Sequence, residues 1–174
     1  SGAHFQSDIR WDDVNWERTE YDKFLAYGQA KTANMLCAVA MNARLEPQGV
    51  KAFSVHPGVI ETNLGRYMSQ EDRAELIARM IERMGGDRSA VKDMDLSSLP
   101  IFVKSVEQGA ATSCWAATAP QLDQHGGRYL ADCAVAPVVE AYQPHGCMAY
   151  GLDPDAAERL WALSEEMVGE RFEY

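Results

Sequence analysis

Gly49-Val50-Lys51-Ala52-Phe53-Ser54-Val55-His56-Pro57-Gly58 is a short apolar run closed at both ends by chain-turning residues. Such a run reads as a strand over 50–55, ended by Pro57-Gly58. Residues 27–45 before it read as a helix. Small and apolar residues recur at Ala30, Ala33, Met35, Leu36, Ala38, Val39, Ala40 and Leu45, and Pro47 with Gly49 stops them. A helix joined by a short turn to a strand is the second half of a β-α-β unit and predicts a parallel sheet. Ligands of open α/β sheets bind just beyond the carboxyl ends of the strands. The turn 56–63 is expected there. Pro57-Gly58 lets backbone approach a flat ligand, and Thr62 offers a hydroxyl to a phosphate or an amide.

The head of the helix carries Tyr27-x-x-x-Lys31. Positions i and i+4 share a helix face. A fixed cation near a phenol favours the phenolate. A phenol tuned in this way gives a proton to a carbonyl oxygen, or takes one from an alcohol, near neutral pH. The spacing alone arises often by chance, so the rest of the chain decides its weight.

Residues 1–26 read as a polar surface loop anchored by Trp11, Trp16, Phe24 and Leu25. Residues 69–84 form an amphipathic helix capped by Ser69 with Asp72, striped by Leu76, Ile77, Met80, Ile81 and Met84, and ended by Gly85-Gly86. With the polar stretch 87–100, it makes 63–104 an insertion that either packs on the core or folds over a site as a lid. Residues 105–118 are a third helix. Its cap is Ser105, and Ala110, Ala111, Cys114 and Ala117 are its expected inner face. Residues 126–130 open a second strand. Asp153-Pro154 starts the last helix, striped by Ala156, Leu160, Leu163 and Met167.

Composition narrows the function classes. At 174 residues and 47% hydrophobic, the chain suffices for one domain with a real core. Its formal charge of −10 argues against nucleic acid and anionic lipid as partners. No apolar run approaches the roughly 18 residues of a membrane span. Ser1-Gly2-Ala3-His4-Phe5-Gln6 has no basic region followed by an apolar run, so it does not read as a signal peptide. Cys37, Cys114, Cys133 and Cys147 form no Cys-x-x-Cys pair and read as buried reduced thiols of a cytoplasmic protein. Cys133, His145 and Cys147 match no zinc spacing, so no metal site is expected.

These motifs together resemble the short-chain dehydrogenase/reductases, in particular the retinol-dehydrogenase-like and WW-domain-oxidoreductase-like subgroup. The similarity lies in Ala26-Tyr27-Gly28-Gln29-Ala30-Lys31-Thr32-Ala33-Asn34 and in Ser54-Val55-His56-Pro57-Gly58-Val59-Ile60-Glu61-Thr62-Asn63-Leu64. Glu107-Gln108-Gly109-Ala110, Gly127-Arg128-Tyr129-Leu130-Ala131-Asp132-Cys133 and Leu160-Trp161-x-x-Ser164-Glu165 add to it. The resemblance implies an α/β fold, an NAD(P)-binding Rossmann-like doubly wound parallel sheet, with residues 1–174 supplying its C-terminal part. It implies hydride transfer between NAD or NADP and a small apolar alcohol or carbonyl substrate. Tyr27 would be the acid/base. Lys31 would hold the nicotinamide ribose, and Ser1, in Ser1-Gly2-Ala3-His4, would fall where the family has its catalytic serine. Pro57, Gly58, Val59, Ile60 and Thr62 would hold the nicotinamide end. A homodimer paired through the Tyr27 helix is a further expectation.

The chain departs from that family in one large respect. No glycine-rich strand-turn-helix that would seat a pyrophosphate is present; Gly85-Gly86 and Gly126-Gly127 lack its spacing. Two confident strands do not close a doubly wound sheet. The missing N-terminal half is therefore expected in the same polypeptide or on a second chain. The alternative is a non-catalytic fragment acting as an interaction or assembly module. A hydrolase using Ser1, His4 and Asp8 is a distant third, without a nucleophile elbow.

Overall fold

Asp22 accepts hydrogen bonds from the amides of Phe24 (2.9 Å) and Leu25 (3.0 Å), and this cap starts the first helix four residues before Tyr27. The computed structural model describes residues 1–60, 62–93 and 103–174. Its helices are α1 (Lys23–Leu45), α2 (Gln70–Arg83), α3 (Val106–Thr118) and α4 (Pro154–Val168). The strands are short: β1 (Ser54–His56), β2 (Val59–Ile60), β3 (Val103–Lys104), β4 (Tyr129–Ala131), β5 (Ala134–Val135), β6 (Val138–Val139) and β7 (Cys147–Met148).

The N-caps of the other three α-helices are the ones the sequence predicts. Ser69 and Asp72 exchange hydrogen bonds with each other's amides, both 3.1 Å, in a complete capping box. Ser105 and Gln108 do the same for α3. Asp153 caps α4 with Pro154 at its first position, and Gly169 at φ 70 closes it.

The strand predicted over 50–55 is confined to Ser54–His56. β1 pairs in parallel with β4, Ser54 opposite Tyr129 and His56 opposite Ala131, and β5 adds antiparallel. β2 with β3, and β6 with β7, form two further parallel ladders. The fold is thus mixed α/β with small parallel sheets, and β1 is an edge strand among the described residues.

α1 separates two cores. One face packs Leu36 and Ala40 on Ile9, Ala157 and Leu160. The other places Met35 over Tyr129, Ala131, Ala136 and Cys147. Buried Asn42 ties its last turn to the strand lead-in by accepting from the Ala52 amide at 3.2 Å.

Two packing expectations are overturned. Ala110, Ala111, Cys114 and Ala117 of α3 are exposed; the buried positions are Gly109 and Thr112, which face β2 and the β4–β5 turn. Cys37, Cys114 and Cys133 are exposed too, and only Cys147 is buried. Small apolar residues mark a face suited to close packing, but nothing among the described residues covers this one. Residues 94–102 of the expected 63–104 insertion lie outside the described residues, as does Glu61. Within the described part, Leu76, Ile77, Met80 and Ile81 of the α2 stripe are half-buried, Met84 is exposed, and Ala78 beside the stripe is the helix's one buried residue.

Candidate active site

Residues 1–7 lie flat on α1 because α1 has room for them. A Cβ at Gly28 would stand 2.6 Å from Gln6 Cβ and 3.0 Å from the Ala3 carbonyl. One turn on, Thr32 donates to the Ser7 carbonyl at 2.7 Å. Tyr27 and Lys31 precede these two contact residues by one position each and so flank the docked segment. Tyr27 is 44% exposed. Lys31 Nζ lies 5.2 Å from the centroid of its ring.

The docked segment, a 3-10 helix at Gly2–Gln6, is fixed from the far side by His4, which is fully buried. Its Nε2 accepts from the Met148 amide at 3.2 Å, so Nδ1–H donates to the Ser1 carbonyl at 2.8 Å. Burial pushes the His4 pKa down to about 4, holding the ring neutral. Tyr150 donates to the His4 carbonyl at 2.5 Å. These bonds set the position of Ser1, whose hydroxyl accepts from the Ala3 amide at 3.3 Å.

The end of β1 arrives at the same place. His56 Nε2 would be 3.4 Å from a Cβ on Gly2. His56 Nδ1 accepts from the Gly58 amide at 3.4 Å, and Gly58 takes φ 92, in the left-handed region glycine favours. Burial, helped by the Lys104 ammonium, lowers the His56 pKa to about 4. Residues 1–7 therefore link two sequence-distant pieces: Ala3 and Gln6 lie on Gly28, between Tyr27 and Lys31, and Gly2 lies on His56, which leads into Pro57-Gly58. Val59 beyond them is half exposed, and Ile60 packs against Gly109 of α3. Thr62 is exposed, and its hydroxyl accepts from the Leu64 amide at 3.3 Å, capping a 3-10 turn at Asn63–Gly65.

One residue here escapes the sequence reading, and another, His56, is read there only as the start of the turn. Lys104 folds onto Gly58 and pairs with Asp132. His56 links Gly2 to Gly58. Lys104 carries no local pattern; only the fold brings it beside the turn. Two surface cavities lie elsewhere. One of about 480 Å³ is bounded by Lys51, Phe53 and Asp123, and one of about 220 Å³ by Cys37, Trp161 and Phe172. Among the described residues no cluster suits a metal ion, and no helix is long and apolar enough to cross a membrane.

No family model matches the chain. It is 36% identical to a probable oxidoreductase of Streptomyces lividans, over 97% of this chain and 53% of that protein. It is 32% identical to human retinol dehydrogenase 14, over 93% of the chain and 40% of the enzyme. It is 33% identical to the short-chain dehydrogenase/reductase prx1 of Penicillium roqueforti, over 97% and 45%. A crystal structure of an uncharacterized protein from Mycobacterium Paratuberculosis superposes with a TM-score of 0.58 at 25% identity, covering 99% of this chain and 49% of that one. The chain spans about half the length of the relatives it matches.

Proposed function

We propose that this chain, a relative of the short-chain dehydrogenase/reductases and other oxidoreductases, is part of an NAD(P)-dependent oxidoreductase acting on an apolar alcohol or carbonyl compound, with Tyr27 as its acid/base. The observation that carries this reading is that residues 1–7 dock on α1 at Gly28 and Thr32, beside Tyr27 and Lys31, and touch His56 at the head of the Pro57-Gly58 turn.

In reduction, the Tyr27 phenol gives its proton to the carbonyl oxygen as the new alcohol forms; in oxidation it takes the alcohol's proton. The Lys31 ammonium is free of ion pairs among the described residues, so it can donate to the ribose hydroxyls. Ser1 hydrogen-bonds the substrate oxygen and holds it at the phenol. The nicotinamide supplies or accepts the hydride. The turn 57–60 would take its flat end: Gly58 carries no side chain, Val59 is half exposed, and the Thr62 hydroxyl keeps its proton for donation. The rest of a dinucleotide needs a phosphate cradle from the remainder of a longer polypeptide. α2, resting on the start of α1, would cover an apolar substrate with Leu76, Ile77 and Met80 as part of a 63–104 lid.

The test is Tyr27→Phe in the full polypeptide. Turnover falls by about 100-fold or more, the range of general acid–base catalysis, while dinucleotide binding is kept. Unchanged turnover sinks the role of Tyr27.

One observation favours a second reading, a non-catalytic interaction module. The small apolar residues of α3 are exposed, as on a surface that packs against another body. Tight dinucleotide binding by the 174-residue chain alone would contradict it.

A further inference from the structure

Gly58 is held from two sides. On one, its amide donates to His56 Nδ1 at 3.4 Å. On the other lies Lys104: a Cβ on Gly58 would stand 2.7, 2.8 and 3.0 Å from its Cδ, Cε and Nζ. The backbone reinforces this contact. β3 pairs in parallel with β2, placing Lys104 directly opposite Ile60. The Lys104 side chain is only 12% exposed, and its ammonium pairs with Asp132.

Asp132 is itself fixed. It sits at φ 49 in the tight turn between β4 and β5, and its second carboxylate oxygen meets His145 Nδ1 at 2.8 Å. The next amide, of Cys133, donates to buried Thr112 at 3.2 Å. A partly buried ion pair in a bridged carboxylate is far less screened than a surface pair. Lys104 is thus a strut that runs from the rigid β4–β5 turn to the bare Cα of Gly58. Its length is used along the stem, which packs on the glycine, and its charge is used at the tip.

We propose that Lys104, held by Asp132, is a positioning residue for the turn 57–60 that receives the nicotinamide end of the cofactor. The inference rests on the reading of that turn as the cofactor's. Lys104 touches the turn and not the reacting atoms, so its removal blurs the place of the cofactor without removing a proton donor.

Amide exchange and dinucleotide titration of the full polypeptide test it together. In cofactor-free Lys104→Ala, exchange of the peptide spanning 56–60 rises roughly tenfold, while α4 exchanges as in the parent protein. The dinucleotide Kd and KM rise about tenfold, and kcat changes far less. Asp132→Asn acts in the same direction, and the double substitution adds little to either single one, as for two groups in one contact. Unchanged exchange at 56–60 in Lys104→Ala, or fully additive effects of the two substitutions, overturns the proposal. A turn that loosens in a protein whose parent binds no dinucleotide leaves the strut standing and overturns the function assigned to the turn.

Discussion

A methyl group at Gly28 would drive into Gln6 and the Ala3 carbonyl, and the docked segment could not then lie on α1. The residue therefore matters for what it leaves out, and its effect falls on Ser1 and Tyr27. His4 and His56 act by the opposite means, filling space. Burial holds both rings neutral, lowering their pKa values from 6.5 to about 4. Unfolding returns them to water, where they titrate near 6.5. Below that value the unfolded chain binds protons that the folded chain refuses. Their contribution to stability is complete above about pH 6.5 and is lost as pH falls toward about 4. Each adds a slope of up to about 1.4 kcal/mol per pH unit. Urea-denaturation midpoints taken across this window should fall steadily as the solution is acidified. A flat profile would mean that the two rings are solvated in the folded protein.

At the scale of elements, α1 and α2 are joined through their own caps. Asp22 caps α1 and also binds Arg79 of α2, at 2.6 and 3.3 Å. Asp72 completes the capping box of α2 and also pairs with Lys23 of α1. Arg83 adds a bond to the Gln6 carbonyl at 2.7 Å. Each carboxylate thus serves a helix dipole and a cation together. These pairs are partly exposed, so each contributes little by itself and is screened by salt. Arg79→Ala, or a rise to molar salt, should speed amide exchange in α2 several-fold and leave α4 unchanged. Equal exchange in parent and variant would show that apolar packing alone seats α2. The caps Ser69, Ser105 and Asp153 are legible in the sequence because capping is a local event, read within about three residues. Asp22 is not read as a cap, since the aromatic and charged run around it imitates a loop. Its link to Arg79, and that of Lys104 to Asp132, depend on chain segments tens of residues apart. The motifs Tyr27–Lys31 and Pro57-Gly58 are legible as residue types; the link that residues 1–7 make between their two segments is a property of the fold.

At the scale of the molecule, the sheets are too small to account for the helices. β1 ends its sheet with one edge unpaired among the described residues, and α3 shows Ala110, Ala111, Cys114 and Ala117 to solvent. The sequence pattern marks that face as an inner one, and periodicity reports only that a face is suited to packing, not whether its partner is present. The chain spans 53% or less of the relatives compared above, and a doubly wound sheet covers its helices' inner faces from within. Cys114 is a natural reporter of this difference. In the 174-residue chain it should react readily with a thiol-specific alkylating reagent, whereas buried Cys147 should not react until the chain unfolds. In a polypeptide of the relatives' full length, labelling of Cys114 should slow by roughly tenfold or more, because the thiol would then be reached only through local opening. Peptide-level mass spectrometry reads both sites in one digest, with Cys147 as the internal standard for folding. Equal Cys114 rates in the short and long forms would place α3 on an outer surface. The exposed alanine face would then be a docking surface for a separate body, and the non-catalytic module would become the better account of this chain.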